Sequence, residues 1–446
     1  MRPLFSPAAS RTLNRPLISK AFPHPTIPAL PAHLRINRKM STSTTDPLRS
    51  TPWQVSPASH DFRSDTFTTP TPSMLASLTL PTTSLGDNVY RESINTNNFS
   101  DRLAKLFNKP AACYVISGTM GNLLSLRANL SHYPSPYSVV LDTRSHVYCY
   151  EAGGLSELAK AWPIGYTVPV VKNADGTVED GMVTLDMVKK VWVGEEEDGH
   201  FSRSRVLSLE NTIKGQVVPL ETIKEVTDWV RSKGGRTHLD GARFWEAVSS
   251  VKAGQNKTEW NREKAIEMLR AYADCFDTVT VCFSKGLGAP IGSYVVGSEE
   301  DIKRVERYRK QTGGDGRQVG LLAAMMEVGL DETFLSGKLW ESQRRVEQLT
   351  EYWKNLGGKL ACQSDTNMIW MDLESLGVSD EDWGEIAKKR GVSAWSRLVF
   401  HYQVAEEAYG KLKQAMSDLM EYAKHGTVDG KPLKSESTTK AIYGSK

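Results

Sequence analysis

Cysteine is scarce and scattered in this chain. Its five cysteines, Cys113, Cys149, Cys275, Cys282 and Cys362, form no CxxC and no Cys/His pair at zinc-ligand spacing. That argues against a disulfide framework or a structural metal and fits a reducing intracellular compartment. Long apolar runs are also missing, since none approaches the ~18 residues that would suggest a membrane span. Charge of one sign is not concentrated either. The 55 Lys and Arg residues nearly balance 52 Asp and Glu, leaving +3, and they are spread along the chain, so no nucleic-acid footprint is expected. No GxGxxG follows the first strand candidates and no P-loop is present, which removes the two commonest nucleotide fingerprints. No repeat period is visible.

What remains is the composition of an ordinary globular protein. A hydrophobic share of 39% and a charged share of 24% over 446 residues predict two packed units plus tails. Residues 1–57 read as an extension. The first 45 residues carry seven basic side chains and seven prolines, and no acidic residue precedes Asp46. The charge bias is that of an organellar transit peptide, whereas the prolines would interrupt its amphipathic helix, so a disordered extension is the other reading. Met40 offers a second start that would yield a cytosolic form. The expectation is therefore a cytoplasmic protein, with a mitochondrial form through the extension as the alternative.

From "HDFRSDTFTTPTPSML" onward the pattern becomes regular. "SDRLAKLFNK" has helical spacing, "AACYVISGTMGNLLSLRANL" reads as strand, turn and helix, and "YSVVLD", "RVLSLEN", "RTHLDGAR" and "DTVTVCFS" read as short strands ending in polar residues. Strands alternating with helices predict an α/β layer whose central sheet is mostly parallel, with ligands beyond the carboxyl ends of the strands. "VGEEEDGHFSRS" and "KAGQNKTEWNRE" read as surface loops. From about Leu330 helical patterns dominate, split by strand candidates at "NMIWMDL" and "SRLVFHY". The predicted units are thus a large domain over 58–329, a smaller α+β domain over 330–425 and a polar tail over 426–446.

The polar strand ends are where chemistry is expected. "SGTMGN" puts Gly118, Ser117 and Thr119 at a helix start, where free N–H groups favour a phosphate, although Ser and Thr also cap helices without any ligand. Asp240 ends one strand, with Arg243 three residues on, a spacing equally open to a cap with a nearby ion pair. Lys285, in "CFSKGLGAP", ends another strand. A lysine held out of water there has a more available free amine, able to attack a carbonyl carbon, while an isolated one could simply snorkel. Together, a phosphate cup, a carboxylate and an amine are the three handles that hold pyridoxal phosphate.

"FRSDTFTTPT", "GDNVYRES", "SGTMGN", "SHVYCYEAGG", "LENT", "HLDGAR" and "SKGLGAPIGS" together resemble the threonine aldolases, pyridoxal phosphate enzymes of fold type I, from about Asp61 to about Lys424. The resemblance implies that Lys285 forms the Schiff base, Asp240 partners the pyridine nitrogen, and Ser117, Gly118 and Thr119 form the phosphate cup. It implies that His146 stacks on the ring, that Ser64, Arg243 and Arg397 hold the substrate carboxylate, for which the planar arginine fork is suited, and that Arg243 also belongs to the catalytic and cofactor-binding set. It also implies a homodimer or homotetramer, with Tyr90 and Lys310 acting across an interface. The implied activity is cleavage of L-threonine or L-allo-threonine to glycine and acetaldehyde. Gly286 and Gly288 are expected to let the backbone turn beneath the cofactor ring.

One departure bears on that activity. Many threonine aldolases carry a histidine directly after "LENT", and this chain has Ile213. The change removes one candidate base for the substrate hydroxyl, leaving His146 or a water. It favours the alternatives that need no such base, alanine racemisation, β-elimination or transamination; a non-catalytic scaffold is the reading from another class. Asn88 and Arg91 also differ from the family pattern, as does Asp315, and they would reshape the entrance. His401 reads equally as a packed strand residue or a site residue. The remaining histidines, the tryptophans and the "GEEED" run read as surface or core features.

Overall fold

The computed structural model describes residues 56–172, 178–197, 199–428 and 430; the 1–55 part of the extension and most of the polar tail lie outside them. The strands are β1 (Ala111–Val115), β2 (Tyr137–Asp142), β3 (Trp162–Tyr166), β4 (Val170–Lys172), β5 (Val178–Asp180), β6 (Arg203–Glu210), β7 (Arg236–Gly241), β8 (Thr278–Cys282), β9 (Ser293–Gly297), β10 (Leu360–Cys362), β11 (Met368–Met371) and β12 (Arg397–Val399). Seven of them form one sheet in the order β1-β9-β8-β7-β6-β2-β3. The pairings from β8 through β7, β6 and β2 to β3 are parallel, and β9 alone runs against its neighbours β1 and β8. The mostly parallel sheet expected from the sequence is therefore present, with one reversed strand.

Alternation along each strand divides the core. Tyr114, Val140, Leu207, Leu209, Leu239, Val279, Val281, Tyr294 and Val296 point to one face. There they meet the apolar stripe of the helix Leu220–Ser232, whose buried Leu220, Ile223, Val226 and Val230 recur at helical spacing. The intervening residues point the other way. Val139, Leu141 and Val206 pack with Leu126 and Leu130 of the helix Gly118–Leu130, while Cys113, Val115 and Val295 pack with its Leu124 and Ala128 and with Ile302 and Val305 of the helix Glu299–Gln311. Helices thus cover both faces, as a strand buried along its whole length, such as β8, requires.

A second apolar cluster gathers around the three-stranded antiparallel sheet β10-β11-β12 and the helices Lys338–Asn355, Asp380–Lys389 and Glu406–His425. Leu330, Phe334, Leu335 and Leu339 pack into the first cluster, whereas Phe62, from the start of the described chain, packs into the second.

β8 and β9 are joined without a crossover. Phe283 N donates to Gly292 O at 3.1 Å, Ala289 N to Phe283 O at 3.0 Å and Gly288 N to Lys285 O at 2.9 Å, closing the loop that bears Lys285 on itself. Gly288 has φ +81°, and a Cβ there would lie 2.2 Å from the Tyr402 hydroxyl; at Gly286 it would lie 2.9 Å from Glu246 Oε1. Tyr402 and Glu246 are thus protein groups that crowd these two glycines.

Candidate active site

The carboxyl ends of β6, β7 and β8 and the start of the helix Gly118–Leu130 converge. In β7, period-two alternation sends Leu239 to one face and His238 and Asp240 to the other, toward that helix. Asp240 is 2% exposed; its Oδ1 accepts from Ala242 N at 3.0 Å and its Oδ2 from Asn122 Nδ2 at 2.8 Å. Asn122 Nδ2 also reaches Glu151 Oε1 at 2.9 Å, and His146 Nδ1 lies 3.0 Å from the same oxygen. The hydrogen bond to Glu151 raises the His146 pKa above its ordinary value against the opposing effect of burial, with Asp240 adding to the rise and Lys285 opposing it. Burial pushes the Glu151 carboxyl up as well. Glu210, at the end of β6, accepts from His146 N at 2.7 Å; burial and then the neighbouring Asp240 push it up to about 8.

His146, Glu151 and Asp240 offer atoms within 4.8 Å of one another, the spacing of a metal site. The Asn122 amide, however, donates into both carboxylates, so that space already holds a hydrogen-bond donor rather than converging lone pairs alone.

Ser117 caps the helix by accepting from Met120 N at 3.2 Å. A Cβ at Gly118 would come 2.7 Å from Cys282 Sγ, so the helix start lies tight against the end of β8, and Thr119 beside it is exposed. Lys285 follows on the loop after β8, half-buried, with its carbonyl accepting from Thr68 Oγ1 at 2.8 Å.

Two arginines lie to one side. Arg243 donates through Nε and Nη2 to the two oxygens of Asp65, at 2.9 and 2.6 Å. Burial would raise the Asp65 carboxyl, but the Arg243 guanidinium more than reverses this and holds it at about 2. Arg397, on β12, donates through Nη2 to Arg63 O at 3.2 Å, while its buried Nε has no hydrogen-bond partner among the described residues. Burial and then the nearby Arg243 charge lower its pKa. Ser64 stands between Arg63 and Asp65, buried, and accepts from Thr66 N.

Ile213 is 5% exposed, on a small turn closed by its own N–H donating to Gln216 O and by Gln216 N donating back. Tyr90 and the Lys310 side chain lie apart from these groups on the surface, 72% and 60% exposed. His401 is buried, with Nε2 3.0 Å from Asp61 O. Sequence reading singled out none of Asp65, Asn122, Glu151, Glu210 and Glu246. The first four stand inside or beside the quoted motifs, the one signal that could have drawn attention to them.

The donor set fits pyridoxal phosphate. It offers free helix N–H groups and hydroxyls for a phosphate, a buried carboxylate for a ring nitrogen, an imidazole for a ring face and an amine for an aldehyde.

The beta-eliminating lyase family matches residues 61–375. The chain is 36% identical to aldolase vrtJ of Penicillium aethiopicum, covering 86% of this chain and 92% of that protein. It is 35% identical to the low-specificity L-threonine aldolase of Eremothecium gossypii, covering 83% and 90%, and 34% identical to alanine racemase TOXG of Cochliobolus carbonum, covering 81% and 87%. Among solved structures, the threonine aldolase of Leishmania major superposes with a TM-score of 0.61 at 16% identity, covering 82% of this chain and 98% of that one. With relatives this similar across more than four-fifths of its length, the chain belongs to the threonine aldolase family, within the beta-eliminating lyases.

Proposed function

We propose that this protein binds pyridoxal phosphate and cleaves L-threonine, L-allo-threonine or both between Cα and Cβ, giving glycine and acetaldehyde. What carries the reading is the meeting of Lys285, Asp240 and His146 at the strand ends, beside an Arg397 whose Nε lacks a partner among the described residues. Pyridoxal phosphate, when bound, supplies an electron sink for charge developing at the substrate Cα. Lys285 provides the amine that holds the cofactor, Asp240 faces its ring nitrogen, His146 covers the ring, and Ser117, Gly118 and Thr119 bind its phosphate. Arg397, with Ser64, takes the substrate carboxylate and so selects which bond at Cα stands in line for cleavage. Arg243 is already engaged on two donors by Asp65; its part in binding carboxylate is to add positive charge beside Arg397. His146, or a water near it, takes the hydroxyl proton in this scheme. The reading also includes a homodimer or homotetramer in which exposed Tyr90 and Lys310 reach a neighbouring subunit's site.

A second reading, another reaction at Cα such as racemisation of alanine, is favoured by the buried apolar Ile213 and by the relative named as an alanine racemase. The deciding experiment incubates the full chain plus pyridoxal phosphate with each threonine epimer and with L-alanine, measuring acetaldehyde and D-alanine. Acetaldehyde that disappears with Lys285→Ala, along with the visible cofactor band, supports the aldolase. No acetaldehyde from either epimer refutes it.

A further inference from the structure

Asn122 stands at the centre of a buried network that the roles above do not use. It is 1% exposed, and its two amide hydrogens serve two carboxylates, Asp240 and Glu151. That fixes which way the amide points, so Asn122 Oδ1 must accept, and the group it meets is His238 Nε2 at 3.1 Å. His238 is fully buried, and burial pushes its pKa down to about 4, which leaves it neutral with its proton on Nε2. Its Nδ1 is then an acceptor and receives the Thr278 hydroxyl at 2.9 Å, while that hydroxyl accepts from Asn129 Nδ2 at 2.7 Å. In this arrangement each polar hydrogen from Asn129 to Asp240 has an acceptor.

The geometry follows from the fold. Alternation on β7 and β8 sends His238, Asp240 and Thr278 to the face covered by the helix Gly118–Leu130, and Asn129 lies two turns beyond Asn122 on that helix. The charged groups facing this cluster are His146 with Glu151, Glu210 at the end of β6, Lys285 beyond β8 and, at the far end, Arg236, whose Nε donates to Asn129 Oδ1 at 2.7 Å and whose Nη2 pairs with Asp301.

We propose that Asn122 is a positioning residue of the cofactor site, whose amide locks the Asp240 carboxylate to the Glu151–His146 pair so that one donor sets both the partner of the ring nitrogen and the group covering the ring. The inference rests on the reading that pyridoxal phosphate sits at Lys285 and Asp240. Without the amide, Asp240 Oδ2 loses its only side-chain donor among the described residues and can turn from the ring nitrogen, and Glu151 no longer connects His146 to β7.

The test uses the full chain with and without pyridoxal phosphate. For wild type, Asn122→Ala and Thr278→Val, it records three things: the pH titration of the visible cofactor band, the cofactor dissociation constant, and the rise in melting temperature that the cofactor confers on the apo-protein. Asn122→Ala should weaken cofactor binding by about tenfold or more, the scale of one lost hydrogen bond to a charged group. It should also displace the titration midpoint and shrink the cofactor-induced rise. Thr278→Val, which removes only the hydroxyl that orients His238, should move all three in the same direction by less, and it decides the matter if Asn122→Ala does not fold. A variant with a less stable apo-protein but a wild-type titration, dissociation constant and cofactor-induced rise would show a purely structural role and overturn the inference. A wild type with no visible band would instead overturn the cofactor reading beneath it.

Discussion

Asp65→Asn isolates the buried ion pair beside the site. The substitution keeps shape and removes charge from a side chain with no exposed surface, so the interaction needs no discount for solvent screening. The Asp65 carboxyl is held at about 2 against an ordinary 3.8. The difference, about 1.8 units at about 1.4 kcal/mol each, corresponds to about 2.5 kcal/mol of stability at pH 7. Because the folded value is depressed, that contribution is fully present above the unfolded value and is lost as pH falls through the folded one. By linkage about 1.3 kcal/mol of it remains at pH 3. Unfolding entropy of roughly 2.1 cal/mol/K per residue over the roughly 370 described residues converts the neutral-pH loss to a melting temperature lower by about 3 °C. Leaving the Arg243 charge buried without its partner can deepen the loss to about 3–5 kcal/mol. The assay is the difference between wild-type and variant melting temperatures at pH 7 and pH 3. A difference that is absent at pH 7, or that widens on acidification, would refute the account of Asp65 as an ionised partner of Arg243.

Two further substitutions test neighbouring groups. Glu246 is 2% exposed, with Oε2 accepting from Gln343 Nε2 at 2.7 Å and Oε1 without a partner among the described residues, and burial pushes its carboxyl up to about 8. Since its folded value is raised above the ordinary 4.5, wild type loses stability as pH climbs between the two. Glu246→Gln should therefore gain on wild type across that window, by a few kcal/mol on the scale of about 1.4 per unit, and equal pH profiles in denaturation scans would contradict this. Ile213→His should increase acetaldehyde formation from threonine by at least roughly tenfold, a modest share of what a positioned base supplies, with the cofactor band unmoved. An unchanged rate would show that the turn bearing Ile213 does not touch the hydroxyl.

The strands that carry the site were legible because their patterns are local. "YSVVLD" coincides with β2, and the alternation of "DTVTVCFS" and "RTHLDGAR" marks β8 and β7 together with the polar residues that end them. Boundaries were less visible where polar residues join an element for tertiary reasons. The helix anticipated at Ser100 begins at Ile94, because Phe99 and Thr96 are buried and extend the packed face backward. The loop anticipated at "KAGQNKTEWNRE" is largely one, yet its Trp260 packs on Phe334 with ring centroids 6.2 Å apart. Most hidden were the buried carboxylates and the amide between them. Asp65 meets Arg243 across 178 positions and Asn122 meets Asp240 across 118, separations at which periodicity and spacing carry no signal. The site was legible only where motif residues stand directly at strand ends.

The hairpin between β8 and β9 has a consequence for how this protein can vary. In the rest of the sheet, parallel neighbours are joined by long crossovers that tolerate insertion, because the joining segment can bulge without disturbing either strand. Lys285 instead rides on a connection anchored at both ends to one antiparallel ladder and pinned to itself by three backbone hydrogen bonds. An added residue there would have to be absorbed within this pinned segment for the buried Tyr294 and Val296 to keep their face. On the proposed reading, the amine that holds the cofactor is thus mounted on the shortest connection between neighbouring strands of the sheet, and length changes among natural or engineered versions of this chain should cluster elsewhere.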